Sequence, residues 1–219
     1  MQGEWLVIEL HHVPVAMVTK PILRPATPAD AADITDLILL SAEHFLPAVF
    51  GPRIKEGLTT LAAHNGTLFS SSHAWMADAE GRAAGMLLGY SGRERTKEDP
   101  ATGLGLLRIL GGGMLRRLGR LLRVQRMIGA IALDEWYVSN VAVRPELRGQ
   151  GIGRARMLNA EERARSDGAA AIVLDVETDN PSAIRVYERL GYATVSTTPS
   201  LSLDGREFAF FRMWKPLAV

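Results

Sequence analysis

The chain contains no cysteine. Disulfides, cysteine-ligated zinc, iron–sulfur clusters and covalent catalysis through a thiolate are therefore excluded. Excess charge is missing too. There are 25 Lys and Arg against 24 Asp and Glu, a formal net charge of +1, which gives no general attraction to nucleic acid or an anionic membrane, and any basic patch must be local. The sequence has no apolar run long enough to span a bilayer, and no positive segment precedes the short apolar run Trp5 to Leu10. Neither a membrane nor an export role is expected, and the expected compartment is the cytoplasm. The five histidines (His11, His12, His44, His64 and His73) show no H-E-x-x-H spacing. They read as structural or surface residues, and no metal is expected.

What is present has an ordinary globular make-up: 219 residues, 47% apolar and 22% charged. That length buries roughly 70% of the surface of the unfolded chain in one domain. Residues 1–16 are expected to be an extension, either outside the core or added as an edge strand, and residues 17–219 a single domain with an insertion at 91–133.

From Pro21 the pattern becomes regular. Ile22 to Arg24 reads as a strand. Thr27 and Pro28 open a helix to about Ala42, whose Ile34, Leu37 and Ile38 share one face. A second helix runs from Arg53 to Ala63. His73 to Ala77 and Ala83 to Tyr90 read as a hairpin. After the insertion come a strand (Trp136 to Val143), a helix (Gln150 to Ser166) and a near-continuous apolar strand (Ala170 to Glu177), as expected of a buried parallel strand. A short helix follows from Asn180-Pro181 to Gly191. Tyr192 to Ser196 and Phe208 to Trp214, joined through Asp204-Gly205, make a last hairpin. The order β-α-α-β-β-(insert)-β-α-β-α-β-β implies an α/β fold with a mixed sheet and helices on both faces.

The chemistry concentrates between Val138 and Tyr192. Gly149, Gly151 and Gly153 lie between a strand end and a helix start, where a backbone free of side chains can approach a ligand and unpaired amides favour an anion. Arg148 adds a fixed positive charge. A P-loop would need Gly-Lys-Ser/Thr, but Ile152-Gly153-Arg154 stands there instead. A dinucleotide fingerprint is one position out of step. Asn180, Ala183 and Tyr187 fall on one face of the following helix, lining up an amide and a phenol.

These residues carry a resemblance. Arg148, Gly151 and Gly153 match the R/Q-x-x-G-x-G/A signature of the GNAT superfamily of N-acetyltransferases, and Asn180, Ala183, Tyr187, Gly191 and Tyr192 match its N-x-x-A-x-x-x-Y-x-x-x-G-F/Y run. The close match covers about Trp136 to Ser196. The resemblance implies a GNAT-like fold, acetyl-CoA as acetyl donor and no metal. It further implies that the pyrophosphate rests on the amides of Arg148, Gly149, Gln150, Gly151, Ile152 and Gly153, and that the pantetheine pairs with the strand at Val141, Ala142 and Val143. Asn180 would touch the pantetheine arm, alongside Ala183; from the residues alone Asn180 is equally an N-cap.

The implied reaction is direct attack of an amine on the thioester in a ternary complex. The acceptor is then a primary amine of a small molecule or a peptide amino terminus. The backbone near Val141 would polarise the thioester carbonyl, and Tyr187 would return a proton to the leaving thiolate. Asp175 and Glu177 share a face at the carboxyl end of a parallel strand, where sites in open α/β sheets gather. Asp175 occupies, in L-D-V-x-x-x-N, the place of a glutamate that acts as base in the ribosomal-protein branch of the superfamily, with a side chain one methylene shorter. Glu135 and Glu177 are the substitutes.

The insertion holds six Arg and no acid between Ala101 and Leu133. It reads as a polar stretch (Ser91 to Asp99), a Gly-rich piece and an amphipathic helix from Met114 to Ile128, with Arg116, Arg120 and Arg123 opposite Met114, Leu118, Leu121 and Leu122. That helix is either a solvated surface helix, a lid whose arginines meet an acidic substrate or the CoA phosphates, or a membrane- or nucleic-acid-contacting element; missing aromatics disfavour the last. The alternative function is a CoA-binding module without turnover that recruits an anionic partner through this helix. Phe208, Phe210, Phe211 and Trp214 are expected to be mostly core, with a homodimer seam as the alternative.

Overall fold

The computed structural model describes residues 22–79, 81–110, 114–127 and 129–217, the side chains of 110 and 114–118 excepted. The leader 1–16 lies outside the described residues. In chain order the elements are β1 (Ile22–Pro25), α1 (Ala31–Ser41), α2 (Phe45–Phe50), α3 (Ile54–Ala63), β2 (Ala74–Ala79), β3 (Arg82–Ser91), α4 (Gly92–Leu110) and α5 (Met114–Met127). They continue with β4 (Glu135–Val143), α6 (Ile152–Ser166), β5 (Ala171–Glu177), α7 (Pro181–Arg189), β6 (Ala193–Thr197), β7 (Leu201–Leu203), β8 (Arg206–Phe208) and β9 (Phe210–Pro216).

A capping box starts the first helical segment: the Asp30 carboxylate accepts from the Thr27 amide at 2.7 Å and from its hydroxyl at 2.9 Å, satisfying a donor the helix cannot. The Ile34, Leu37 and Ile38 face of α1 is fully buried, as its periodicity requires. The sheet has seven strands in the order β1-β2-β3-β4-β5-β9-β6. β4 and β5 run parallel; the other neighbours are antiparallel. Alternation along the strands divides the interior. Met86, Leu88 and Tyr137 join a core with α1, α2 and α3 on one face, while Leu87, Trp136 and Val138 join Met157, Ala160 and Ala164 of α6 on the other. Helices cover both faces, as the element order predicts.

Three local expectations are corrected. The polar stretch and the start of the Gly-rich piece form one long helix, α4, from Gly92 to Leu110, which carries Pro100 in its interior; residues 111–113 of that piece lie outside the described residues. Gly105 serves packing, as does Gly57 of α3. Ile109 lies where a Cβ on Gly57 would sit, and Leu61 where one on Gly105 would, at 2.1 and 2.5 Å, so α3 and α4 interlock large against small. The last two expected strands do pair antiparallel, β6 on β9, but Asp204-Gly205 turns a small hairpin of its own between them, β7 on β8, and β9 also adjoins β5. Phe208, Phe210 and Trp214 pack into one core and Phe211 into the other.

The third correction concerns α5. Its buried side is Val124 and Met127, and Arg120, at i−4 from Val124, shares that side. Arg120 reaches the Ala48 carbonyl at 2.8 Å and pairs with Asp204 at 2.6 Å. Leu122, expected inside, is 45% exposed. The carbonyl and carboxylate beside α2 and the β7–β8 turn decide the helix rotation, because a guanidinium can be turned inward where such acceptors wait for it.

Candidate active site

The site begins where two parallel strands part. β4 and β5 are paired from Glu135↔Ala171 to Val138↔Leu174 and no further. β4 continues along β3 to Val143, and β5 continues along β9 to Glu177. The parting coincides with a bulge: Leu88 faces Asn140 and Gly89 faces Val138, so Ser139 is an extra residue in β4. A bulge bends its strand and increases the local twist. Main chain from Ser139 to Val143 consequently has no β5 partner, and a cleft opens between the strands.

One end of the cleft is the start of α6. Gly149 and Gly151 have φ of +78° and +79°, a backbone region open to glycine. Gly151 is the N-cap of α6, and nothing lies within 4 Å of where a Cβ on either glycine would be. The first amides of a 15-residue helix thus face an open cradle, suited to phosphate. The Arg148 guanidinium is steadied at its rim by the Val143 carbonyl, which accepts from Nε at 3.2 Å. The cavity here is about 570 Å³, lined by Val141, Ala142 and Val143 of β4, by Arg148, Gly149, Gly151, Ile152 and Gly153, and by Asn180, Ala183 and Tyr187. Gln150 is exposed and does not line it.

The opposite wall is α7. Asn180 caps this helix, its Oδ1 accepting from the Ala183 amide at 3.1 Å and the Ser182 hydroxyl at 2.9 Å. Two turns on, Tyr187 is half-buried against Tyr192, ring centroids 6.0 Å apart. Burial pushes the Tyr187 hydroxyl up to about 12.

A second cavity of about 630 Å³ adjoins the first, sharing with it Leu40, Ser41, Val141, Asn180, Ala183 and Tyr187. Both carboxylate candidates line it, but differently. Asp175 is held in a bidentate clamp by Arg212, at 3.0 and 2.8 Å, and accepts from the Tyr137 hydroxyl at 3.1 Å. Arg212 also donates to the Ala130 carbonyl at 2.7 Å, tying the end of the insertion to the sheet. Glu177 has a loose approach from Arg206, at 3.7 Å, while that guanidinium sits 3.0 Å from Asp179. Burial, then the neighbouring Asp179 charge, raises the Glu177 carboxyl above its ordinary range. Glu135 lies at the far end of β4, its carboxylate accepting from the Ala132 amide at 2.8 Å.

The sequence pattern did not reveal several lining residues. Ser41 accepts from Asn140 Nδ2 at 2.8 Å, joining the end of α1 to the bulge. His44 and Glu43 line the second cavity, as do Arg95 and Asp99 of α4 and Val124 and Met127 of α5. Arg212 faces Asp175 across the β5–β9 register, a signal available only once β9 is known to adjoin β5. Arg120 and Arg123 line neither cavity: Arg120 is engaged with Ala48 and Asp204, and Arg123 donates to the Gly119 carbonyl of its own helix at 3.2 Å. Arg116 has its side chain outside those described.

A mixed sheet split at one parallel pair, with an anion cradle at one end of the split and a phenol beside a second cavity at the other, has the shape and chemistry to take an extended phosphorylated ligand next to a smaller one. Residues 42–192 match the acetyltransferase (GNAT) family, and the chain belongs to it. Over 84 residues it is 37% identical to the [ribosomal protein bS18]-alanine N-acetyltransferase of Escherichia coli (strain K12), a match covering 37% of this chain and 57% of that protein. The chain thus spans little over half the length of that relative. Among solved structures, an N-acetyltransferase from Staphylococcus aureus Mu50 superposes with a TM-score of 0.65 at 17% identity, covering 89% of this chain and all of that one. A Salmonella typhimurium structure solved with its cofactor acetyl-CoA superposes at 0.58 and 18% identity, covering 91% of this chain and 95% of the other.

Proposed function

We propose that the protein transfers an acetyl group from acetyl-CoA to a primary amine by direct attack in a ternary complex. The observation that carries this reading is the meeting of the two cavities at Val141 and Tyr187, which brings two ligands together beside unpaired strand backbone and a protonated phenol. The residues present fit the donor: an open glycine cradle at a helix start suits its pyrophosphate, and a strand edge freed by the bulge suits the amide-bearing pantetheine. Bound acetyl-CoA supplies the acetyl thioester as electrophile.

The chain's own residues would do the rest. Amides from Arg148 to Gly153 hold the phosphates. The backbone at Val141, Ala142 and Val143 orients the pantetheine, with Asn180 and Ala183 against it. Asn180 can cap and bind together, since Oδ1 serves the helix and Nδ2 has no acceptor among the described residues. Tyr187 gives its proton to the leaving sulfur. Glu177 accepts the amine's proton, directly or through water, and Asp175 orders the floor through Arg212 and Tyr137. The E. coli relative is named for an alanine amino group of a ribosomal protein; an amine acceptor of that chemistry fits here, whether on a peptide or a small molecule.

Calorimetry with CoA and a screen for thioester consumption against amines test this reading. Gly151→Ala is expected to weaken CoA binding at least tenfold, because an L-residue at this left-handed position costs about 1–2 kcal/mol and relaxing that strain turns the α6 amides off the phosphates. Retained affinity in that variant would place the phosphates elsewhere, and absence of CoA binding by the native chain would overturn the proposal.

A further inference from the structure

We propose that the acceptor amine is carried on a large apolar body, and that the insertion provides the chamber for it. This rests on the acetyl-transfer reading and adds the substrate class. Neither α4 nor α5 contributes to the donor cavity, yet both line the second one. The insertion therefore bounds the acceptor side, away from the junction. It contributes Arg95, Asp99 and Thr102 from the first half of α4, and an apolar wall of Leu106 of α4 with Val124 and Met127 of α5, set against Phe45 and Phe69. Phe45 is edge-on to Phe210 at 5.1 Å, which holds that wall in place. A volume of about 630 Å³ is the size of a site for a compact organic molecule.

Charge points the same way. Near the junction the lining carries Glu177 and Asp179 beside Arg206, with Glu43 beside His44, and Arg206 lies between the first two carboxylates. A surplus of carboxylates draws an ammonium inward and repels an acidic acceptor. Both arginines in the lining are already engaged, Arg206 by Asp179 at 3.0 Å and Arg95 by Asp99 at 3.7 Å, so an acidic acceptor would have to displace a carboxylate to meet either. The ligand this chamber recognises is thus cationic at one end and apolar over the rest of its length.

The test is a series of straight-chain alkylamines from butyl to octyl, together with phenylethylamine, spermidine and glycinamide, followed by thioester consumption and, in parallel, by calorimetry on CoA-loaded protein. The expected kcat/KM rises about fourfold for each methylene buried, and phenylethylamine exceeds spermidine and glycinamide. Leu106→Asp and, separately, Met127→Gln are expected to flatten the series while the CoA dissociation constant stays within twofold, which also reports an intact fold. A flat series in the native protein, or preference for spermidine or glycinamide, overturns the chamber assignment. If no amine is acetylated but binding tightens with chain length, the chamber stands and acetyl transfer falls. If amines are neither acetylated nor bound, both fall.

Discussion

Replacing Tyr187 by Phe is expected to lower kcat by about 10²–10⁴-fold, the range for removing one positioned acid, with the CoA dissociation constant unchanged within about threefold. The ring and its contact with Tyr192 remain; only the hydroxyl goes. Among the described residues that hydroxyl has no hydrogen-bond partner, and burial pushes it up to about 12, so it is fully protonated at neutral pH. Against a thiol near 8.5 the transfer from an ordinary phenol near 10 would be uphill by about 2 kcal/mol in water, and burial of the phenol widens that gap. The gap closes in the cleft because the desolvation that weakens the phenol as an acid also makes a departing thiolate a stronger base. The sign of the pH dependence follows: Tyr187 works protonated, its contribution is intact below about 12 and is lost only as pH rises through that value. An alkaline limb in kcat near pH 9 therefore cannot be Tyr187, and a Phe variant that kept such a limb at full rate would remove the tyrosine from the mechanism.

The donor half of the site is legible in the sequence because it is local. Arg148 to Gly153 bridge one strand end and one helix start, and Asn180 to Tyr187 lie within one helix, so spacing alone brings them into register. The acceptor half is not local. Asp175 meets Arg212 only because β9 folds back between β5 and β6, and hairpin periodicity is silent on which strand a returning strand adjoins. The insertion misleads for another reason. Pro100 and the glycines at 103 and 105 read as breakers, yet Gly105 is what lets Leu61 seat against α4, so tertiary packing overrides propensity. The rotation of α5 was likewise set by acceptors far away in sequence, at Ala48 and Asp204, and not by its own pattern of Arg and Leu.

The two carboxylates should separate cleanly into one that holds the floor and one that moves a proton. Asp175→Ala is expected to cost about 3 kcal/mol, the penalty for leaving the partner of a buried ion pair uncompensated. Arg212 is 16% and Asp175 10% exposed, and the guanidinium donates two hydrogen bonds to Asp175 where Tyr137 donates one. At 2–4 °C per kcal/mol for a chain of this size, the melting temperature should fall by about 6–12 °C. Glu177→Gln keeps shape and neighbours, so its melting temperature should stay within about 2 °C, while kcat/KM at neutral pH falls tenfold or more. As the proposed base, Glu177 would work as a carboxylate. Its contribution is present above its pKa and lost as pH falls through it, and burial with Asp179 places that pKa above the ordinary carboxylate range; the native pH profile should therefore show an acid limb displaced upward that the Gln variant lacks. The acceptor's own ammonium, near 8 for an α-amino group, adds a limb common to both proteins and is subtracted by comparing them. A reversed outcome, in which Asp175→Ala keeps its melting temperature but loses rate while Glu177→Gln stays fully active, would move the base to Asp175. The clamp would then have to loosen in each catalytic cycle, because a protonated, neutral Asp175 no longer compensates the Arg212 guanidinium that it pairs with.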